Sequence, residues 1–319
     1  MSNIRGSFLN QLEAIFLQAL ESKNAGDMEN AVGYYEQALD LSLRELSRVG
    51  DQAGSQQSVP ARLRFLHIPK TAGTSFHDCL QRLYPGGEFQ FTGDLTEDLE
   101  RWRALSAEQR LDIRLISGHA PYITNEAEID TVPAITLLRD PIARVRSYCQ
   151  HVSEGKIASL LTRFPPDDFD LNELLQSDAG SELDNLQTRQ LLGIGGLAED
   201  PDDPAAVYHA LEILADLTAF GLTERFEQSL MLFRRRLGWT MWPVYRRLNA
   251  AAPHQRLRFE PSHEALLRRR NAVDLQLYVM AASLFEQRLA AMVPDLAEQM
   301  EAFAKHQAIF TQICQERGY

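Results

Sequence analysis

Cysteine is scarce in this sequence, and it has no long apolar segment. The three cysteines, Cys79, Cys149 and Cys314, show no C-x-x-C spacing, so neither a disulfide framework nor a cysteine metal site is expected. No apolar stretch reaches the roughly 18 residues of a membrane span. The N-terminal MSNIR lacks the apolar core of a signal peptide. We therefore expect a protein of the reducing cytoplasm without a transmembrane segment.

Positive charge is also in short supply. The formal net charge is −12 at pH 7, which argues against nucleic-acid binding. The charge is unevenly distributed, because residues 225–270 contain eleven arginines and only three glutamates. One interpretation is a set of solvated helix faces. The other is a basic surface facing an anionic donor, an acceptor or a membrane, which would allow peripheral membrane contact.

The chain of 319 residues divides into a helical segment, a linker and a large domain. Residues 1–49 predict two amphipathic helices, and residues 26–39 (GDMENAVGYYEQAL) resemble half of a tetratricopeptide repeat. A generic helical hairpin is the alternative. A single repeat cannot bury both its faces, so we expect residues 1–49 to dock on the large domain, on a second copy or on another protein. Residues 50–61 are rich in Gly, Ser and Gln, which predicts a linker, and the large domain spans 62–319.

Short apolar runs followed by turn or helix-start signals recur along the large domain. They occur at residues 63–68, 113–116, 134–138 and 217–222. The repeated order of strand, loop and helix predicts an α/β fold with a P-loop-like parallel sheet flanked by helices. Residues 86–112 are polar and are predicted to be peripheral loop and helix.

The first apolar run leads into a predicted anion-binding loop. Pro69 ends the strand, the chain turns from Lys70 to Gly73, and a helix opens at Thr74 and Ser75. Unpaired N–H groups at a helix N-terminus favour negative charge. Lys70 adds a positive charge, and Gly73 is expected to let the backbone approach a ligand closely. The lysine precedes the glycine, so the loop does not match the nucleotide-triphosphate P-loop.

Polar side chains also follow the second and third apolar runs. His119 comes after the second run, and Arg139 follows the third. Asp140 as N-cap and Pro141 as the first helical residue then predict a helix start. Ligands of parallel α/β sheets bind beyond the carboxyl ends of the strands. We therefore expect Lys70, His119 and Arg139 to lie at one edge of the sheet.

Several of these segments resemble one enzyme family. HIPKTAGTS (67–75) closely resembles the 5′-phosphosulfate-binding loop of sulfotransferases that use 3′-phosphoadenylyl sulfate, most of all the branch that sulfates carbohydrates. LLRDPIARVRSY (137–148) is similar to the 3′-phosphate-binding segment of the same enzymes. NLQTR (185–189) with the following Leu192 and Gly193, and FGLTERF (220–226), look like the bacterial members. The resemblance runs from about residue 62 to about residue 290, which identifies residues 62–319 as a sulfotransferase domain.

The resemblance implies in-line transfer of a sulfuryl group from 3′-phosphoadenylyl sulfate to a hydroxyl of a carbohydrate or glycolipid acceptor, without a metal. Lys70 would face the leaving oxygen of the nucleotide. His119 matches the catalytic histidine, the general base, of the enzymes that act at 2- or 6-hydroxyl groups. Some of those enzymes have a second histidine two residues earlier, where this sequence has Ser117. Arg189 is the candidate for the acceptor side. The implied donor-binding residues are Lys70, Thr71, Ala72, Gly73, Thr74, Ser75, Arg139 and Ser147.

Two other functions are compatible with the same segments. A nucleotide-dependent kinase of related architecture would need a Walker-type loop and a magnesium-holding aspartate, whereas Asp140 is expected to act as a helix cap. A non-catalytic nucleotide-binding scaffold would act through residues 1–49. His119 could also be a hydrogen-bonded structural histidine, and His67 and His77 are interpreted as structural.

Overall fold

A computed structural model describes residues 59–177, 181–193, 204–248 and 257–317, together with scattered positions between residues 14 and 37. Two compact units are distinguished, one formed by residues 1–56 with 286–288 and the other by residues 57–285 with 289–319. Most of the predicted hairpin over 1–49 and most of the predicted linker over 50–61 lie outside the described residues. The larger unit contains all the residues predicted to bind ligand.

A sheet of parallel strands forms the centre of the larger unit. Over the described residues it has five strands in the order β2-β3-β1-β4-β5, and every neighbouring pair is parallel. Strands β1, β4 and β5 are buried along their whole length, as expected where helices cover both faces of a parallel sheet. The predicted α/β class with a parallel sheet is confirmed. The strands are β1 (Leu63–Leu66), β2 (Gly87–Phe91), β3 (Ile113–Gly118), β4 (Ala134–Leu138) and β5 (Ala219–Leu222).

Helices connect the strands and complete the chain after β5. Parallel neighbours require such crossover connections, because a tight hairpin can join only antiparallel strands. The described helices are α1 (Gly73–Leu83), α2 (Leu95–Ala104), α3 (Ala107–Asp112), α4 (Ala127–Asp130), α5 (Pro141–Ser153), α6 (Leu171–Gln176), α7 (Leu186–Leu192), α8 (Pro204–Asp216), α9 (Phe226–Arg236), α10 (Pro261–Arg270), α11 (Ala272–Met292) and α12 (Leu296–Glu316). Single 3₁₀ turns lie at Ala158–Leu160, Pro166–Asp168, Ser181–Leu183 and Thr223–Arg225.

The prediction of loop and helix over residues 86–112 is wrong in its first part, because β2 lies there. This edge strand pairs only with β3. Its sequence GEFQF alternates polar and apolar residues, and only Phe89 and Phe91 are buried. The alternation covers only five residues, which makes it a weak indication of a strand.

Among the described residues, apolar clusters pack the helices against the sheet and against one another. One cluster joins β1, β3 and β4 to α1, α9 and α12. Within it the Phe76 ring lies edge-on to Phe65, with 5.0 Å between the ring centroids, and is stacked on Phe233 at 5.2 Å. A second cluster joins α5 to α6 and α10. The third packs Trp102 of α2 against β2 and β3. The first two clusters fix α1 and α5, the helices that follow the predicted binding loops.

A buried arginine in β1 organises the chain that follows β3. Arg64 is 1% exposed. Its guanidinium donates to the carbonyl oxygens of Pro121 and Tyr122, at 2.5 and 2.9 Å, and to the Asp130 carboxylate at 3.1 Å. Burial lowers the pKa of Arg64, and the Asp130 charge opposes that change. A buried ion needs such partners, so the segment after His119 is tied to the central strand.

Candidate functional site

The loop between β1 and α1 leaves backbone N–H groups free at the start of the helix. Lys70 and Ala72 both have positive φ angles, of 70° and 66°, which is costly for residues with a Cβ. Ala72 is the N-cap, and among the described residues no side chain caps this helix. The Thr71 hydroxyl donates to the Ile68 carbonyl at 2.8 Å. The strained loop thus holds the first amides of α1 open to an anion.

Gly73 is required by packing inside the protein. A Cβ at this position would come within 2.0 Å of two ring atoms of His67. Gly73 is in α1, and its φ is not positive, so the obstacle to a larger residue is the His67 ring. An imidazole thus fills the space where a Cβ would lie, and the expected close approach of the Gly73 backbone to a ligand stays a prediction.

The hydroxyls of the loop differ in their availability. The Ser75 hydroxyl accepts from the backbone N–H of Leu248 at 3.0 Å, and its own proton can still be donated. Thr74 is exposed. The segment that carries Leu248 is fixed to α1 by Asp78, which receives hydrogen bonds from Arg82 and Arg246. Ser75 therefore has a structural bond in addition to its predicted role.

The structure brings the two predicted phosphate-binding segments together. β1 and β4 are neighbours in the sheet, so the loops that follow them leave the same edge. The Arg139 guanidinium donates from Nη1 to the Lys70 carbonyl oxygen at 3.0 Å. Lys70 and Arg139 therefore border one site.

The backbone of Arg139 is held by a single buried side chain. Gln187 accepts from the Arg139 N–H at 2.9 Å and donates to the Arg139 carbonyl at 2.8 Å. Gln187 is 1% exposed, and its own N–H donates to Asp274 of α11 at 3.0 Å. Arg139 Nε is buried and has no hydrogen-bond partner among the described residues. A buried unpartnered donor of this kind suits an anionic ligand.

Positive charge is concentrated around Lys70. Burial, together with the charges of Arg139 and Lys156, lowers the pKa of Lys70 to about 8. Burial also lowers the pKa of His151, with the Lys70 charge acting in the same direction. The pKa of Glu182 is raised by burial, against the effect of the nearby cations. An anionic ligand would relieve the repulsion among these cations.

The second segment begins as predicted. The Asp140 carboxylate accepts from the Ala143 N–H at 2.7 Å, and Pro141 opens α5, so the predicted N-cap is confirmed. Ser147 is half-buried in α5, about 9 Å along the helix axis from Pro141. It makes no hydrogen bond to Lys70 or Arg139 within the described chain.

His119 is held in one tautomer beside the same edge. Its Nδ1 lies 2.8 Å from the carbonyl oxygen of His67. A carbonyl can only accept, so Nδ1 carries the proton and Nε2 keeps its lone pair. The side chain is half-buried. The ring can therefore take a proton at Nε2 while Nδ1 stays bonded.

Ser117 occupies the position where some of the resembled enzymes have a second histidine. Its hydroxyl donates to Glu88 at 2.7 Å. The same carboxylate contacts His77 Nε2 and accepts from Gln81 at 2.9 Å. Despite the opposing effect of burial, these hydrogen bonds hold the pKa of Glu88 at about 2. Ser117 thus belongs to a structural network at the sheet edge, and the interpretation of His77 as structural agrees with this contact.

Helix α7 donates side-chain hydrogen bonds both to the loop that carries Arg139 and to the loop that carries His119. Gln187 holds Arg139, and Gln190 donates to the Ala120 carbonyl at 3.0 Å. Arg189 lies between the two glutamines and is half-buried. Its Nε is also buried without a partner among the residues that the structure describes. These contacts keep Arg189 a candidate for the acceptor side.

Other arginines near the site bind within the protein. Arg144 is fully buried and contacts Glu182, and Arg146 pairs with Glu264. Several of the described arginines in the Arg-rich segment 225–270 make internal contacts, which leaves fewer of them available for an open basic surface. Arg234 donates to Gln299, Arg236 to the Thr218 carbonyl, Arg246 to Asp78 and Arg270 to Asp184.

Sequence reasoning did not anticipate His151 and Glu182 near Lys70, or the contact of His67 with His119. His151 is four residues after Ser147, so the helical period could have placed the two on one face. The strand register could have paired His67 with His119. Glu182 lies in a 3₁₀ turn, which offers no comparable sequence signal.

Within the described residues, no group of three or more His, Cys, Asp or Glu side chains could hold a metal ion. None of the described helices combines the length and the apolar character needed to cross a bilayer. No protein-family model matches the sequence, and neither does any curated protein.

Proposed function

We propose that the protein transfers a sulfuryl group from 3′-phosphoadenylyl sulfate to a hydroxyl group of a carbohydrate or glycolipid. The observation that carries this proposal is the hydrogen bond from Arg139 to the Lys70 carbonyl. It supports one continuous anion site built from two loops, each of which resembles a different part of the donor site of the carbohydrate sulfotransferases. His119, with a free lone pair at Nε2, supplies a base nearby.

The donor would be held by charge and by backbone amides. The loop over 67–75 would act as a P-loop-like cradle for the 5′-phosphosulfate, with Lys70 and the first amides of α1 facing the leaving oxygen. Thr74 and Ser75 would add hydroxyl donors. Arg139 and Ser147 would bind the 3′-phosphate. The Nε atom of Arg139 is buried and has no partner within the described chain.

The chemical step then needs a base and good alignment. The acceptor oxygen forms a bond to sulfur as the bond from sulfur to the bridging oxygen of the nucleotide breaks. His119 Nε2 takes the hydroxyl proton, and Lys70 stabilises the charge that develops on the leaving nucleotide. Because the reaction is in-line displacement, most of the rate enhancement comes from positioning and electrostatics.

Binding of the nucleotide product is the first test. We expect adenosine 3′,5′-bisphosphate to bind in calorimetry, and ATP with magnesium to bind at least about 10-fold more weakly. Arg139→Met should weaken the bisphosphate by about 10- to 100-fold, the value of one or two charged hydrogen bonds. Arg146→Met is the matched control, because this exposed arginine of α5 pairs with Glu264 of α10. Preferential binding of ATP with magnesium would favour a kinase instead.

Transfer is the second test, with radiolabelled donor and a panel of polysaccharides and glycolipids. His119→Ala should keep the Kd of adenosine 3′,5′-bisphosphate within about threefold and lose about 10²- to 10⁴-fold in kcat. A protein that binds the nucleotide but sulfates none of the panel, whether or not His119 is present, would instead support a binding scaffold.

A further inference from the structure

The carboxyl ends of β1 and β3 place two histidines side by side. Leu66 pairs with Gly118 in the parallel register, so the next residues on the two strands, His67 and His119, are neighbours. Their ring centroids are 4.8 Å apart with planes tilted by 35°. The His67 carbonyl accepts the proton of His119 Nδ1 at 2.8 Å. His67 thus contacts the candidate base with both its backbone and its ring.

The His67 ring also contacts the anion loop. Two of its atoms lie within 2.0 Å of the position that a Cβ on Gly73 would take. The Phe65 ring stacks on His67 with 5.4 Å between centroids and 14° between planes. The imidazole is therefore confined between the first residue of α1, a core phenylalanine and His119.

The ring is also uncharged throughout the physiological range. Burial lowers the pKa of His67 to about 3, and the neighbouring charges of His119, His77 and Lys70 act in the same direction. A neutral ring adds no repulsion to the cations of the site. Its contribution is therefore one of shape and contact.

We propose that His67 is a positioning residue, whose ring sets the separation between the first turn of α1 and the imidazole of His119. The proposal rests on the proposed function, in which α1 holds the donor and His119 takes the acceptor proton. In such a reaction a displacement of about 1 Å costs about 100-fold in rate. His67 would then control kcat without contacting the transferred group.

The test is a double-mutant cycle of Gly73→Ala and His67→Ala. Gly73→Ala pushes a methyl group into the His67 ring, so kcat for sulfuryl transfer should fall about 100-fold. His67→Ala should lower kcat by a similar factor, while the Kd of adenosine 3′,5′-bisphosphate changes by less than about threefold. The double variant should be no slower than His67→Ala alone, because the methyl group then has room.

His209→Ala serves as the control, since this histidine is exposed on α8, and it should retain the wild-type kcat. Melting temperatures of all variants report whether each one folds, and His67→Asn takes the place of His67→Ala in the cycle if the alanine variant does not. Wild-type kcat in the His67 variant, or losses that multiply in the double variant, would overturn the positioning role. A wild-type protein that transfers no sulfuryl group would overturn the proposed function, and this inference with it.

Discussion

Replacing Lys70 with methionine is expected to raise the stability of the protein and to abolish sulfuryl transfer. The pKa of Lys70 is lowered to about 8, first of all by burial. Below pH 8 the lysine is charged in both the folded and the unfolded chain, so the full destabilisation is present. Between about pH 8 and about pH 10.4 the folded form loses its proton first, and the destabilisation disappears. Methionine keeps the side-chain length and the same backbone angle.

The magnitude follows from the same pKa values. The difference between about 10.4 for a free lysine and about 8 in the protein corresponds to about 3 kcal/mol. Lys70 is half-buried, so solvent screening reduces the effect, and we expect about 1–2 kcal/mol. For a domain of this size that is a rise in Tm of about 2–4 °C at pH 7.

Thermal unfolding of both proteins between pH 7 and pH 10 measures this difference. The Tm of Lys70→Met should exceed that of the wild type most at pH 7, and the difference should shrink towards pH 10. A rise in Tm that came from methionine packing alone would not depend on pH. Lys305→Met is the control, because this exposed lysine pairs with Glu301 on α12, outside the site, and its Tm should change by less than about 1 °C. A lower Tm for Lys70→Met at pH 7, or an advantage independent of pH, would refute the reasoning.

Two further substitutions test the supports of the site. Gln187→Leu leaves both backbone groups of Arg139 without their side-chain partner, so the Kd of adenosine 3′,5′-bisphosphate should rise about 10-fold. The control is Gln190→Leu on the same helix, which should change this Kd by less than about twofold. Equal effects of the two substitutions would contradict a specific role for Gln187. Arg64→Met removes the charged partner of Asp130 and the side-chain donor to the Pro121 and Tyr122 carbonyls, which should lower the free energy of unfolding in urea by about 3 kcal/mol. A loss under about 1 kcal/mol would show that this anchor is dispensable.

Local signals were sufficient for the features that depend on a few neighbouring residues. The cap at Asp140 and the order of strand, loop and helix at Lys70 and Arg139 could be predicted because turn and cap preferences act over one helical turn. Neighbouring strands then bring such loops to one edge by general rules of parallel sheets. The contact of Arg139 with Lys70 is the result of that geometry.

Features that depend on tertiary packing were not predictable in the same way. The Gln187 side chain binds Arg139 across 48 residues of sequence, and no local pattern indicates such a bond. The packing of His67 against Gly73 could not be foreseen, because the fold brings the two residues together. β2 was missed because an edge strand needs only one apolar face.

The central position of β1 has a consequence for synthesis of the protein. Its partners are β3 and β4, which span residues 113–118 and 134–138, so β1 leaves the ribosome well before either neighbour exists. At a synthesis rate of roughly 5–20 residues per second, β1 spends several seconds with both of its edges unpaired. The partners of Arg64 at Pro121, Tyr122 and Asp130 are synthesised after it, and we expect its charge to disfavour aggregation of the nascent strand until then. A chain cut before residue 134 would retain such a bare edge permanently, so useful truncations of this protein must keep β4.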